Sequence, residues 1–206
     1  MFPYSRCLCA VVIGLVLGSG STPLYAQKPG KPFKSPLKNF TVMVPEFPFG
    51  TRVQKQNDKD EGTVSFLGGA GHALRIDYAR LPTGTTFPTD STELRAYQHK
   101  VLERLLLANP SSVLSERTYT LDDAPMLLAL VSFPAQSHLQ DASSGKRMDS
   151  VRAVLIFARG DFVYTLHAEL AANVFSRKDA APLSVEELSR RAERLIPDFY
   201  RSIKFQ

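Results

Sequence analysis

Two apolar runs constrain this chain most. Met126–Phe133 (MLLALVSF) and Val151–Ala158 (VRAVLIFA) are hydrophobic at consecutive positions, where a half-exposed strand would alternate. Successive strand side chains point to opposite faces, so a run of this kind has to be covered on both. Pro125 and Pro134 bound the first run, which reads as a central buried strand. The second run leads into Gly160-Asp161, a two-residue hairpin signal, and Phe162–Leu170 returns as its partner. In that partner Phe162, Tyr164, Leu166 and Ala168 face one way, while Val163, Thr165, His167 and Glu169 face the other.

The other elements fit around this centre. Phe40–Val44, Thr63–Leu67, Ala73–Arg80 and Val113–Leu121 carry strand patterns, Thr51–Gln56 reads as a weak edge strand, and Ser202–Phe205 as a short closing one. Leu74, Ile76 and Tyr78 alternate with Arg75 and Asp77, which predicts one buried and one wet face. Asp90-Ser91-Thr92-Glu93 and Ser184-Val185-Glu186-Glu187 are capping boxes, each opening a helix. The first helix shows a stripe of Leu94, Tyr97, Val101, Leu105 and Ala108, and Asn109-Pro110 stops it. The second buries Leu188, Ala192, Leu195, Ile196 and Phe199, with Glu186–Arg190 and Glu187–Arg191 pairs outside. Pro197 should end or kink it near Ile196. There is no internal repeat. The class is α+β: one domain with a central antiparallel sheet and two amphipathic helices covering it.

The chain has 206 residues, enough for one core that is stable without staples. Residues 1–26 read as an export signal: Arg6, then an eleven-residue apolar run from Leu8 to Gly18, then small residues and a cleavage position after Ala26. The run is shorter than the roughly 20 residues of a membrane-spanning helix. Export to the periplasm or the extracellular space is expected. Both cysteines, Cys7 and Cys9, lie in this segment, so thiolate chemistry and cysteine metal sites are excluded from the processed chain.

The net charge of +5 is carried by Arg6 and by the tail. Residues 27–38 (QKPGKPFKSPLK) hold Lys28, Lys31, Lys34 and Lys38 and no acid, whereas Asn39–Gln206 balances 20 basic against 20 acidic residues. A nucleic-acid binder would carry its basic excess on the folded domain, so no nucleic-acid partner is expected. The Lys/Pro alternation suits an extended, solvated linker with a peripheral membrane contact open to it.

No catalytic constellation emerges. His72, His99, His138 and His167 show no i,i+3 or i,i+4 spacing. Gly68-Gly69-Ala70-Gly71 lies between two strands and is a turn, without the strand–helix setting of a dinucleotide loop. Asp58-Lys59-Asp60-Glu61-Gly62 opens like a calcium loop, but the twelfth position is Gly69. There is no Gly-x-Ser-x-Gly elbow. Arg159-Gly160-Asp161 matches an adhesion tripeptide, yet Gly-Asp is what the hairpin needs in any case. No cofactor and no metal is expected.

Several stretches together resemble the Mog1/PsbP-like family, including its exported bacterial members. They are Phe40-x-Val42-x-Val44-Pro45, Leu105-Leu106-x-x-Asn109-Pro110, and Val113-Leu114-Ser115-Glu116-Arg117 leading to Leu121-x-x-Ala124-Pro125. Gly160-Asp161-Phe162-Val163-Tyr164 and Phe199-Tyr200-x-Ser202-Ile203-x-Phe205 complete the set, which spans Asn39 to Gln206. The resemblance implies a sheet sandwiched between helices, and non-enzymatic work as an assembly, docking or accessory factor. The ion-retention role of the plant relatives does not carry over, since no ligand residue can be matched.

Two functions follow as expectations. The first is an exported, non-catalytic accessory protein that docks on an envelope or secreted partner. Its recognition surface would be the polar loop Pro134–Asp149, with Ser143, Lys146 and Arg147 at the tip. The second is a small-ligand binder or hydrolase with a cleft near His167 and Glu169, lined by Tyr78, Tyr97 and Tyr164. A concave pocket joining His167 to a second titratable group would favour the latter.

Overall fold

A computed structural model describes residues 30–47, 50–68, 71–84, 88, 91–107, 111–135, 145–171 and 183–206, with backbone alone at Ser91 and Tyr119. In chain order the strands are β1 (Pro32–Lys34), β2 (Phe40–Met43), β3 (Thr51–Asn57), β4 (Glu61–Gly68) and β5 (His72–Arg80). After helix α1 (Ser91–Leu107) come β6 (Ser112–Leu121), β7 (Ala124–Phe133), β8 (Ser150–Arg159) and β9 (Phe162–Ala171). Helix α2 (Val185–Arg201) and β10 (Ile203–Phe205) follow.

Seven strands pair antiparallel in the order β3-β4-β5-β9-β8-β7-β6; the two-sided apolar strands are both interior, β8 beside the central β9 and β7, expected at the centre, one strand in from the β6 edge. The Asp122-Asp123 turn joins β6 to β7 with both residues at positive φ, 48° and 59°, the twist a two-residue hairpin loop requires. A second sheet, β1-β2-β10, was not legible in the sequence. Its strand β1 lies inside the expected solvated linker. The reason is Phe33, which is buried and meets Phe66 edge-on with ring centres 6.1 Å apart. Tyr164 and Phe205 meet similarly at 4.9 Å.

The two faces of the large sheet carry different cores. On one, Met126, Leu128, Leu155 and Phe157 pack against Leu188, Ala192, Ile196 and Phe199 of α2. The small sheet extends that layer over Val64, Phe66, Ile76 and Tyr78. On the other face, Leu102 of α1 packs on Leu127, Ala129, Val131, Val154 and Ile156. The expected sandwich between two helices is therefore only partial. Helix α1 lies chiefly over β7 and β8, and the β4–β5–β9 part of its face presents polar side chains instead.

Helix α2 buries its expected stripe, with Leu195 partly buried, whereas α1 departs from its own. In α1 the buried line is Leu94, Gln98 and Leu102, not Leu94, Tyr97 and Val101. Gln98 Nε2 donates to the carbonyls of Pro125, at 3.3 Å, and Ile156, at 3.0 Å, which satisfies the buried amide and ties α1 to β7 and β8. In α2 the helix continues through Pro197 to Arg201 because Phe199 and Tyr200 are anchored, against Phe66 and Phe157 respectively. The Ser184 cap accepts from the Glu187 N–H at 3.2 Å, as its sequence position implied.

Candidate functional site

Antiparallel register decides which polar side chains meet. Across β4, β5, β9 and β8, one row reads Ser65, Arg75, His167 and Val154, and the next Thr63, Asp77, Thr165 and Ile156. A third row brings Glu169 opposite Arg152. All these side chains share one parity and hence one face. The face expected to be wet at Asp77 is instead buried, and so are Arg152, Thr165, His167 and Glu169.

Burial of charge requires partners. Asp77 Oδ1 accepts from Arg75 Nε at 2.7 Å and from the Thr63 hydroxyl at 2.6 Å; Oδ2 meets His167 Nε2 at 2.9 Å. One row away, Arg152 Nε donates to Glu169 Oε2 at 3.0 Å, and its guanidinium lies 4.1 Å from the centre of the Phe133 ring. Burial alone would raise the Asp77 pKa, but Arg75 and the hydrogen bonds outweigh it and hold the carboxyl well below its ordinary range. Burial, aided by Arg75 and Arg152, lowers the His167 pKa despite Asp77, so the imidazole is neutral at pH 7 and donates from Nε2. The Arg152 pKa is lowered by burial as well, with Glu169 opposing.

A cleft of about 280 Å³ opens beside this network, between the β4–β5–β9 face and α1. Asp77, Thr63 and Thr165 line it from the sheet, Tyr97 and Val101 from the helix, and Asn57, Asp58 and Glu61 at the β3–β4 turn. Burial and the neighbouring carboxylates of Asp58 and Asp77 raise the Glu61 pKa. The Tyr97 phenol is pushed up by burial.

A cleft opens on this face of the sheet, but neither His167 nor Glu169 lines it; Asp77, bonded to His167, is the titratable group that reaches its wall. Tyr97 lines it from α1 and Tyr78 borders it from β5; Tyr164, the register partner of Tyr78, does not line it and is stacked on Phe157. His167 and Glu169 share a face, but each is tied to a different charged partner. No serine or threonine hydroxyl bonds to His167 among the described residues, and no cluster of ligating side chains suits a metal there.

Of the loop residues, Lys146 and Arg147 are exposed next to buried Met148, while Ser143 lies outside the described residues. Lys31, Lys34 and Lys38 are exposed; Lys28 and the leader lie outside. The adhesion tripeptide is not displayed as a free unit, because Arg159 Nη2 donates to the Asp122 carbonyl at 2.7 Å and to the Tyr200 hydroxyl at 3.0 Å. His138 is outside the described residues, and His99 sits 3.3 Å from Glu116 across the α1–β6 gap. Sequence reading missed the Arg75–Asp77–His167 and Arg152–Glu169 sets. The available signal was Arg152, a charge inside an apolar strand that had to find a partner on a neighbouring strand of matching parity.

The fold these elements make is Mog1/PsbP-like. Among solved structures the chain is similar to the cyanobacterial PsbP (CyanoP) of Synechocystis sp. PCC 6803, with a TM-score of 0.50 and 10% identity over 94% of this chain and 99% of that one. It is also similar to the Saccharomyces cerevisiae Ran-binding protein Mog1p (TM-score 0.43, 16% identity, 87% and 96% coverage). A mutant of protein Mog1 gives a TM-score of 0.46 and 14% identity, with 85% and 95% coverage. No family model and no curated protein matches the chain. Likeness at these identities establishes the fold, and function has to be argued from the site.

Proposed function

We propose that the chain is a non-catalytic binding protein that is exported and docks on a protein partner of the envelope or the extracellular space. The observation that carries this reading is the closure of the buried charges on one another. Both Asp77 oxygens accept hydrogen bonds, Arg152 and Glu169 are paired, and His167 Nε2 is spent on Asp77. General acid–base work needs a titratable group within reach of a substrate proton, and these are committed to holding strands together. On this reading docking falls to the segment before β8, where Lys146 and Arg147 are exposed beside the buried Met148. Residues 27–206, immobilised and exposed to envelope extract, should retain one reproducible protein, and a Lys146→Glu/Arg147→Glu double variant should lose it. Undiminished capture by the double variant removes the loop; capture lost on deleting residues 27–38 assigns docking to the lysine-rich segment.

The cleft favours a second reading, in which the same protein binds a small molecule. The cavity joins apolar walls at Ala79, Val101 and Val163 to the polar Thr63, Asp77 and Thr165. A hydrolytic role fits it less well than binding does, because no nucleophile is hydrogen-bonded to His167 among the described residues.

A further inference from the structure

The lining of the cleft is chemically one-sided. Its described walls contain three carboxylates, Asp58, Glu61 and Asp77, and no Lys, Arg or His. Asp77 is neutralised from behind by Arg75 at 2.7 Å. Asp58 accepts only the backbone N–H of Lys59, at 2.7 Å, and neither Asp58 nor Glu61 has an ion-pair partner among the described residues. Two carboxylates without an ion-pair partner among the described residues, Asp58 exposed and Glu61 half-buried, therefore border the same cleft. The field of a partly dry concavity is stronger than that of a flat surface.

A second, separate observation points to an occupant. Thr165 is only 4% exposed and lines the cavity, yet its hydroxyl has no hydrogen-bond partner among the described residues. The side chain is buried but its hydroxyl opens onto the cleft, where a bound group would reach it. The acceptor lone pairs of this hydroxyl suit an N–H donor. Between it and the carboxylates run apolar surfaces: Ala79, Val101, Val163 and the ring of Tyr97.

We propose that this cleft binds a short aliphatic diamine in its diammonium form. One ammonium group donates to the Thr165 hydroxyl and the Glu61 carboxylate, the alkyl chain lies on Val101 and Val163, and the second ammonium group meets Asp58. The inference rests on the second reading above, of the protein as a small-ligand binder, and gives that ligand a charge and a shape. Neutral diols lack the charge, and anions are repelled by the carboxylates.

The test uses the full chain and 1,4-diaminobutane as probe, with 1,4-butanediol as its uncharged counterpart, followed by calorimetry and by NMR titration of backbone amides. The expected result is saturable one-to-one binding of the diamine, with shifts confined to residues 57–63, 77–79, 97–101 and 163–165, and no binding of the diol. Glu61→Gln and Thr165→Val should each weaken binding about tenfold, the loss expected when a charge-assisted or buried hydrogen bond is removed. Asp198→Asn, an exposed carboxylate on α2, should leave it unchanged. Thr165→Val preserves shape, and circular dichroism of both variants separates lost binding from lost folding. Diol binding at these residues as tight as that of the diamine overturns the cationic assignment while leaving the small-ligand reading in place. Shifts from neither compound overturn both. Diamine binding that is equal in Glu61→Gln and the native chain shows diffuse counter-ion attraction and overturns the proposal.

Discussion

His167 Nε2 reaches Asp77 Oδ2 at 2.9 Å although the two are not register partners: Asp77 stands opposite Thr165, and His167 opposite Arg75. The bond is diagonal across the β5–β9 ladder, and it ties together two strands separated by 90 residues. Diagonal neighbours on one face of an antiparallel pair are about 7–8 Å apart at the backbone, within reach of a side chain as long as histidine. The arrangement places an imidazole where a proton is unwelcome.

Acid should therefore destabilise the fold in two windows. The folded pKa of His167 lies below its ordinary 6.5, so the unfolded chain takes up the proton first. Stability is complete above 6.5 and falls as pH drops towards the folded value, at no more than about 1.4 kcal/mol per pH unit. Asp77 adds stability that is present above 3.8 and lost as pH falls through its depressed folded pKa. Urea titrations at pH 7.5 and 5.5 should give a smaller unfolding free energy at the lower pH, and His167→Asn should flatten that difference. An unchanged slope in the variant would remove His167 as the source.

Glu61 works in the opposite sense. Its raised pKa favours the protonated native state, so its contribution is present below 4.5 and disappears as pH rises through the folded value. Glu61→Gln should accordingly raise stability at pH 7 relative to the native chain and lose that advantage near pH 4. Thermal melts at the two pH values measure the crossover.

Arg152 and Glu169 should reveal the cost of a lone buried charge. Arg152→Met leaves the carboxylate inside without its guanidinium and should cost about 3–5 kcal/mol. The double variant Arg152→Met/Glu169→Met removes both charges and should recover most of that loss. A double-variant cycle in denaturant reads the coupling directly; additive losses would mean that the pair does not act as a unit.

Two glycines should resist enlargement. A Cβ on Gly62 would lie 2.4 Å from the Tyr78 hydroxyl oxygen, and one on Gly68 would lie 2.5 Å from the Phe47 ring. Gly62→Ala and Gly68→Ala should each destabilise by about 1–3 kcal/mol through overpacking. Gly84, with open space around its missing Cβ, differs in kind: its φ of +83° makes alanine there a backbone penalty alone.

Gln98→Met keeps the shape of the buried side chain but removes its hydrogen bonds to the carbonyls of Pro125 and Ile156. A loss of about 1–3 kcal/mol is expected, together with faster amide exchange along β7 and β8. Unaltered exchange would mean that water replaces the amide at no cost.

Strand periodicity made the large sheet legible because Leu155, Phe157, Tyr164 and Leu166 had to share a face whatever the topology. The Ser184 box likewise placed α2, and the apolar spacing placed α1, whose expected cap Asp90 lies outside the described residues. Three features were not legible, each for a physical reason. Phe33 is one aromatic residue in a Lys/Pro run, and nothing local says that a distant Phe66 will receive it. Gln98 breaks the apolar stripe of α1 because its partners are backbone carbonyls, which every residue has and no sequence marks. Asp77 looked wet because a half-buried strand and a strand with internally paired charges share one alternation. Which of them applies depends on whether β9 brings a partner of the right parity, and the sequence does not state strand order.

Strand β2 is held on one side by β1 and on the other by β10, so Thr41 stands opposite both Lys34 and Lys204. A ribosome delivers residue 204 long after residue 41. Until then β2 lacks one of its two neighbours, Tyr164 lacks the Phe205 ring that covers it, and α2 has no anchor beyond Tyr200. The fold thus closes with a latch at its late-made end. Full ordering of β2 and of the Tyr164 ring therefore waits on a pairing between segments about 160 residues apart, the kind of non-local contact that forms late because its loop must close first.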